Sequence, residues 1–423
     1  MATRRVADDQ RELADHYRQV RALSVALAAP LSDADATIQP HPDASPIKWH
    51  LAHTTWFFET FVLRDYVPGY RAHDESWAYL FNSYYEGEGE RHARARRGML
   101  SRPSLDEIRA YRIHVDEALD HALPDLPPYA LSLIELGLHH EEQHQELMLM
   151  DMLATLAENP LRPAIFPSRG CATSTTSEPE PPLAWVEQPG GLVEIGHAGP
   201  GFAFDCETPR HRHYLRPYAL AERTVTNGEW LQFIDAGGYA DPLLWLADGW
   251  DWVVRERIEA PLYWFREEEV WQRFGLDGAQ VVDPAEPVCH IGYYEADAFA
   301  RWAGARLPTE AEWEAAAARQ DPLSGNLLDE AGPVRPRSPA ECEFRELYGN
   351  VWEWTVSAFL PYPGFRPASG TVGEYNGKFM SGQMVLRGGS CATPRGHVRA
   401  SYRNFFYPHQ RWMFSGLRLA RDA

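Results

Sequence analysis

Cysteine is scarce in this sequence and follows no pattern. Cys171, Cys206, Cys289, Cys342 and Cys391 are scattered through 423 residues with no CxxC pair. That excludes a dense disulfide framework and favours reduced thiols in a cytoplasmic setting. No run of 18 apolar residues exists, so no segment reads as a membrane span. Basic charge is also short: 40 Lys and Arg stand against 60 Asp and Glu, a formal net charge of −20. A general nucleic-acid binder is thereby excluded, and an anionic membrane surface is an equally poor partner. The opening Met1-Ala-Thr-Arg4-Arg5 has paired arginines, but an acidic, helix-like stretch follows where a secretion signal needs an apolar core, so none is expected. There is no internal repeat and no low-complexity tract. What remains is an ordinary globular composition, 44% hydrophobic and 24% charged, in a chain long enough for two or three domains. Fifteen Trp and nineteen Tyr suit aromatic-lined pockets.

Apolar spacing organises the first part into helices. Leu13, Tyr17, Val20, Leu23 and Leu27 predict an amphipathic helix over 7–27. A polar, Pro-containing stretch covers 33–46, where Ser45-Pro46 reads as an N-cap with Pro at the first helical position. The second helix runs through Trp49, His53 and Phe58 to about residue 63. A third covers 104–122, capped by Ser104 with Asp106 and Glu107 in its first turn. The fourth covers about 127–156. Four such helices make an up-down bundle, a scaffold that builds metal sites from facing helices. The long segment 65–103 holds Tyr79-Leu-Phe-Asn82-Ser-Tyr84-Tyr85-Glu86 and a cluster of arginines, and its aromatics argue for order. A Pro-, Ser-, Thr- and Glu-rich stretch then reads as a linker. Beyond it come short β-like runs, many Gly and Trp, and one clear helix over 295–303.

The most informative stretch is Leu136-Gly-Leu-His139-His140-Glu141-Glu142-Gln143-His144 in the fourth helix. Residues four apart share a helix face, so His140 and His144 stand one turn apart. Leu133, Leu136 and Leu147 fall on the same stripe, which points to the core. Two buried imidazoles are costly unless something binds them, and a divalent metal is the usual partner. Three readings stay open at this point: a redox-active metal site, a hydrolytic zinc site of the His-Glu-x-x-His kind with Glu141 as base, and a hydrogen-bonded core pair. His139 lies about 100° round the helix from His140 and reads as a supporting or surface residue. His50 and His53 on the second helix are both candidate partners, and spacing alone does not choose between them.

The distal part carries Arg306-Leu-Pro-Thr-Glu-Ala-Glu-Trp-Glu314, Gly349-Asn-Val-Trp-Glu-Trp354, Leu386-Arg-Gly-Gly-Ser390 and Ser415-Gly-Leu-Arg-Leu-Ala420. This set resembles the formylglycine-generating-enzyme/sulfatase-modifying family, whose fold is C-type-lectin-like. The proximal part, with Ala52-His53-Thr54 and His140-x-x-x-His144, resembles the DinB-like metal-binding bundle. Joined in this order they resemble the nonheme-iron sulfoxide synthases of ergothioneine biosynthesis (EgtB type), with ovothiol and selenoneine synthases as relatives. The resemblance implies an α+β chain: a DinB-like four-helix bundle over 1–159, a linker over 160–184 and a formylglycine-generating-enzyme-like domain over 185–423. Formylglycine generation itself is not implied, since it needs two close cysteines late in the domain and only Cys391 lies there.

The resemblance also implies an Fe(II) centre held by His53, His140 and His144. The Leu-Ala-His pattern selects His53 over His50. The implied reaction joins hercynine, the trimethylated betaine of histidine, to L-cysteine with O₂, giving hercynylcysteine sulfoxide. Selenoneine synthesis from a selenosugar is the close alternative, and γ-glutamylcysteine is a further donor. The protein must also deliver a proton or hydrogen atom to the activated oxygen, and Tyr84 and Tyr85 match the Tyr-Tyr pair of the cysteine-using branch. Arg94 and Arg97 stand where that branch places its carboxylate-reading arginines. Gln143, Asn404, Trp412 and Phe414 are the expected hercynine contacts, because a quaternary ammonium needs aromatic faces and oxygen dipoles. Glu353, Trp354 and the Arg-Gly-Gly-Ser run are expected to keep the fold. No oligomeric state is implied.

Overall fold

The computed structural model describes residues 2–166, 182–338, 344, 346–370, 373 and 376–423, with side chains from Gln10 onward. The chain forms two compact units, Met1–Ile165 with Glu330–Gly332, and Phe166–Asp329 with Pro333–Ala423. Most of the linker expected over 160–184 lies outside the described residues.

The first unit is helical. Its elements are α1 (Ala2–Ala28), α2 (Asp33–Thr37), α3 (Ile47–Phe58), α4 (Arg64–Tyr66), α5 (Trp77–Phe81), α6 (Leu105–Ala122) and α7 (Pro128–Ala157). The long helices pack as a bundle, with α3 against α1, α6 and α7, and α1 against α7. α6 starts as its sequence predicts: Ser104 and Glu107 close a reciprocal capping box. The expectation at α3 needs correction. Pro46 precedes the first helical residue and Ser45 caps nothing. Instead the Ser45 amide donates to Asp151 Oδ2 at 2.7 Å, and its hydroxyl accepts from Arg97 at 2.9 Å. The polar stretch 33–46 also contains α2, closed by a capping box between Ser32 and Asp35. α3 continues through a π-helical turn, Glu59–Leu63, into α4.

All twelve residues of α3 are buried, and α7 is buried on most sides from Gly137 to Leu156. The expected apolar stripe on α7 is therefore not the whole story: Leu133 is buried, while Leu136 and Leu147 are only half-buried. The two helices approach closely at Gly137, where a Cβ would lie 2.5 Å from the Phe58 ring and 2.9 Å from the Phe57 ring. One turn further on, that close approach brings His140 beside α3. An alanine here would push the two helices apart.

The second unit is a mixed α+β fold. A three-stranded sheet has the order β1 (Trp185–Gln188), β4 (Tyr218–Thr224), β12 (Arg418–Asp422). A hairpin-like pair joins β2 (Gly191–Ile195) to β3 (His211–Leu215), and a meander runs β5 (Trp264–Glu267), β6 (Val270–Gly275), β7 (Gly278–Val281). The fourth sheet has the order β10 (Asn404–Phe406), β9 (Met384–Arg387), β8 (Trp352–Ala358), β11 (Ser415–Gly416). One helix was expected here; α8 (Asn227–Asp235), α9 (Ala247–Glu256), α10 (Tyr293–Trp302) and α11 (Glu310–Ala317) are present. Residues of the sequence motifs bond one another within this unit. Glu353 accepts from Arg418 at 2.8 Å and from the Trp313 indole at 2.7 Å. Arg387 donates to Glu310 and Glu314, and the Trp354 indole to the Ile291 carbonyl.

Candidate metal centre

His53 comes from α3, and His140 and His144 come from α7 one turn apart. Each offers a ring nitrogen, and the three lie within 4.8 Å of one another. The ring centroids are 4.6–5.0 Å apart. All three side chains are buried. Burial, with the nearby imidazoles, pushes the His53 and His144 pKa values well below the usual histidine range, and burial brings His140 to about 4 against the pull of Glu141. Near neutral pH they are neutral bases with lone pairs available. Three such groups converging in an apolar interior match a divalent metal's donor set.

The surroundings of His53 fix which nitrogen that ring presents. His53 Nδ1 lies 2.6 Å from the Phe81 carbonyl, which can only accept, so Nδ1 carries the proton and Nε2 the lone pair. His53 is also clasped between two indoles, Trp49 at 4.6 Å and 13° and Trp56 at 5.6 Å and 15°. His144 Nδ1 lies 2.8 Å from His50 Nδ1. His50 therefore stands behind His144, outside the cluster itself. His139 pairs with Glu142 at 2.9 Å.

Glu141, next to His140, faces a different partner set. Its Oε1 accepts from Ser24 at 2.6 Å and Arg112 at 2.7 Å, and its Oε2 from Arg21 at 2.8 Å. Burial alone would raise its pKa, but the two arginines and Ser24 outweigh it and bring it to about 2. A carboxylate so held is a poor general base, which removes the chemical ground for the hydrolytic reading.

The loop residues lie close by. Tyr85 is buried, its ring against Trp56, Phe57 and Phe61, while Phe57 also meets His140. Tyr84 is half-buried and accepts from Arg94 at 2.7 Å. The Arg97 guanidinium lies 3.3 Å from the Trp49 ring centroid and donates to Ser45 and to Ser83 at 3.1 Å. The buried Nε atoms of Arg94 and Arg97 have no hydrogen-bond partner among the described residues. Burial, with the neighbouring Arg94 charge, lowers the Arg97 pKa to about 9. Gln143 is half-buried on α7. Asn404, Trp412 and Phe414 belong to the second unit. There Asn404 accepts from the Phe405 amide, Trp412 meets Phe406 edge-on, and buried Phe414 packs on His290.

Comparison with known proteins gives the same two parts. Residues 16–148 match the DinB superfamily, and residues 172–331 and 326–423 match the sulfatase-modifying factor enzyme 1-like domain. A hercynine oxygenase of Mycobacterium tuberculosis is 34% identical, over 97% of this chain and 99% of its own. One from Mycolicibacterium smegmatis is 33% identical over the same shares, 97% and 99%. A formylglycine-generating enzyme of Streptomyces coelicolor is 31% identical, over 53% of this chain and 83% of its own.

Proposed function

The chain belongs to the hercynine oxygenases, and from that premise we propose that it joins hercynine to L-cysteine through a new carbon–sulfur bond, using Fe(II) and O₂. The reaction balances as one C–H, one S–H and O₂ going to a hercynylcysteine sulfoxide and water. The observation that carries this reading is the convergence of three buried, neutral imidazoles from two helices of an oxygenase-family chain. His53, His140 and His144 would hold the iron, and three neutral nitrogen ligands leave it positions for substrate and O₂.

The chain's own residues do the rest. Tyr85, packed on rings that touch His53 and His140, supplies the proton or hydrogen atom that steers the product to the sulfoxide, with Tyr84 beside it. Arg94 and Arg97 read the carboxylate of the thiol substrate. Their support is physical: buried Arg97 and half-buried Arg94 each keep an unpartnered, buried Nε–H donor, and the depressed pKa at Arg97 is relieved by an incoming anion. A carboxylate-bearing donor fits that need, which favours cysteine over a neutral selenosugar. Gln143 is the proposed hercynine contact on α7. Asn404, Trp412 and Phe414 carry the same proposed role on the second unit.

The test offers the Fe(II)-loaded chain hercynine with cysteine, γ-glutamylcysteine or a selenosugar, each separately. Oxygen uptake is followed and products are identified by mass. Uptake with cysteine and a hercynylcysteine sulfoxide product is expected. No uptake with any donor would defeat the reading.

A further inference from the structure

We infer that Asp151 and His50 form a two-step relay that fixes the tautomer and orientation of His144, so that His144 presents Nε2 to the metal. This deepens the metal reading above and rests on it.

Donors and acceptors alternate along the chain of side chains from Asp151 to His144. His50 Nε2 lies 3.0 Å from Asp151 Oδ2, and His50 Nδ1 lies 2.8 Å from His144 Nδ1. An ionised carboxylate only accepts, so His50 Nε2 carries a proton. A neutral His50 then has a bare Nδ1, which can only accept. His144 Nδ1 must therefore carry the next proton, and its lone pair is left on Nε2. One buried anion thus dictates the protonation of two rings in series. His50, His144 and Asp151 are 2%, 7% and 3% exposed, so water does not compete for these bonds.

The relay is also mechanically anchored. Asp151 Oδ2 accepts from the Ser45 amide at 2.7 Å, at the entry to α3. Asp151 sits two turns beyond His144 on α7, and His50 sits one turn before His53 on α3. The two helices that supply the ligands are pinned to each other by the residues that orient one of them. A metal-bound histidine whose other nitrogen bonds a carboxylate is a recurring device, and its loss typically weakens metal binding about 10–100-fold. Here the carboxylate acts at one remove. His50 and Asp151 are positioning residues.

The experiment measures Zn(II) and Co(II) affinity of the full chain by competition with a chromophoric chelator. His50→Leu should bind about 10–100-fold more weakly with one-metal stoichiometry kept. His50→Gln should recover most of that loss, because its amide can accept from His144 and donate to Asp151. Asp151→Asn should fall between the two. Equal losses in the Leu and Gln variants, or none in either, would overturn the relay. Nitrogen NMR of the unsubstituted Zn(II)-loaded chain tests the same claim without a variant. It should report His144 bound through Nε2 and His50 protonated on Nε2, and the opposite tautomer of either ring would overturn it. If the unsubstituted chain binds neither metal, the three-histidine reading fails and takes the relay with it. If it binds metal and His50→Leu matches it, the relay alone fails.

Discussion

His140 and Glu141 are consecutive on α7 and both buried, yet their surroundings are opposite in kind. Glu141 meets two arginines and a serine, and its charge is balanced within the protein. His140 meets His53 and His144, three lone-pair donors gathered around a common point. The second unit follows the pattern of Glu141, with Glu353 on Arg418 and Arg387 on Glu310 and Glu314. Buried polarity that is already satisfied holds a fold together. Buried polarity that converges with like groups is completed by something from outside.

The contrast can be broken most completely at the three clustered histidines. His53→Ala should retain no metal after gel filtration and show no turnover, while its circular dichroism stays helical. Metal content by plasma mass spectrometry reads this directly, and full retention would shift the ligand role to His50. Next comes the ion network. Arg112→Met leaves Glu141 with Arg21 and Ser24, and breaking a buried pair costs about 3–5 kcal/mol. The melting temperature should drop by on the order of 10 °C, with one metal still bound at low temperature. Loss of metal with unchanged melting would place Glu141 on the ligand side of the comparison.

Acid should separate the two faces by sign. Glu141 has a folded pKa of about 2, below its ordinary 4.5, so its contribution is full above about pH 4.5 and disappears as the pH falls towards 2. That contribution is roughly 3 kcal/mol at neutral pH. Glu141→Gln should therefore melt well below the parent at pH 7 and approach it near pH 3, while keeping its metal and some turnover. A variant that keeps its neutral-pH stability and loses only turnover would revive the hydrolytic role for Glu141. The smallest effect is expected at Tyr85. Tyr85→Phe keeps the ring packing and should change stability by less than about 1 kcal/mol. Its product should move from sulfoxide towards cysteine sulfinate, as read by mass analysis. Unchanged ratios in both Tyr85→Phe and Tyr84→Phe would remove the pair from the reaction.

Much of this was legible in sequence because it is local. The i, i+4 spacing of His140 and His144 survives any tertiary arrangement, and so does the Ser104–Glu107 capping box. Other local signals went unread. Ser32-x-x-Asp35, Thr226-x-x-Glu229 and Thr309-x-x-Glu312 are all helix starts of the same kind, and they mark α2, α8 and α11. What spacing could not give is what depends on α3 meeting α7. His50 and His53 are one turn apart, and only packing decides that one joins the cluster while the other stands behind His144. Asp151 carries no motif at all. Ser45-Pro46 misled because a local cap signal was overridden by tertiary partners, Asp151 and Arg97.

The indole clasp around His53 has an optical consequence. Trp49 and Trp56 lie flat against a ring that would bind metal, so an ion with low-lying electronic states should darken their emission on loading. Two of the fifteen tryptophans would then serve as a built-in gauge of occupancy, readable without any label.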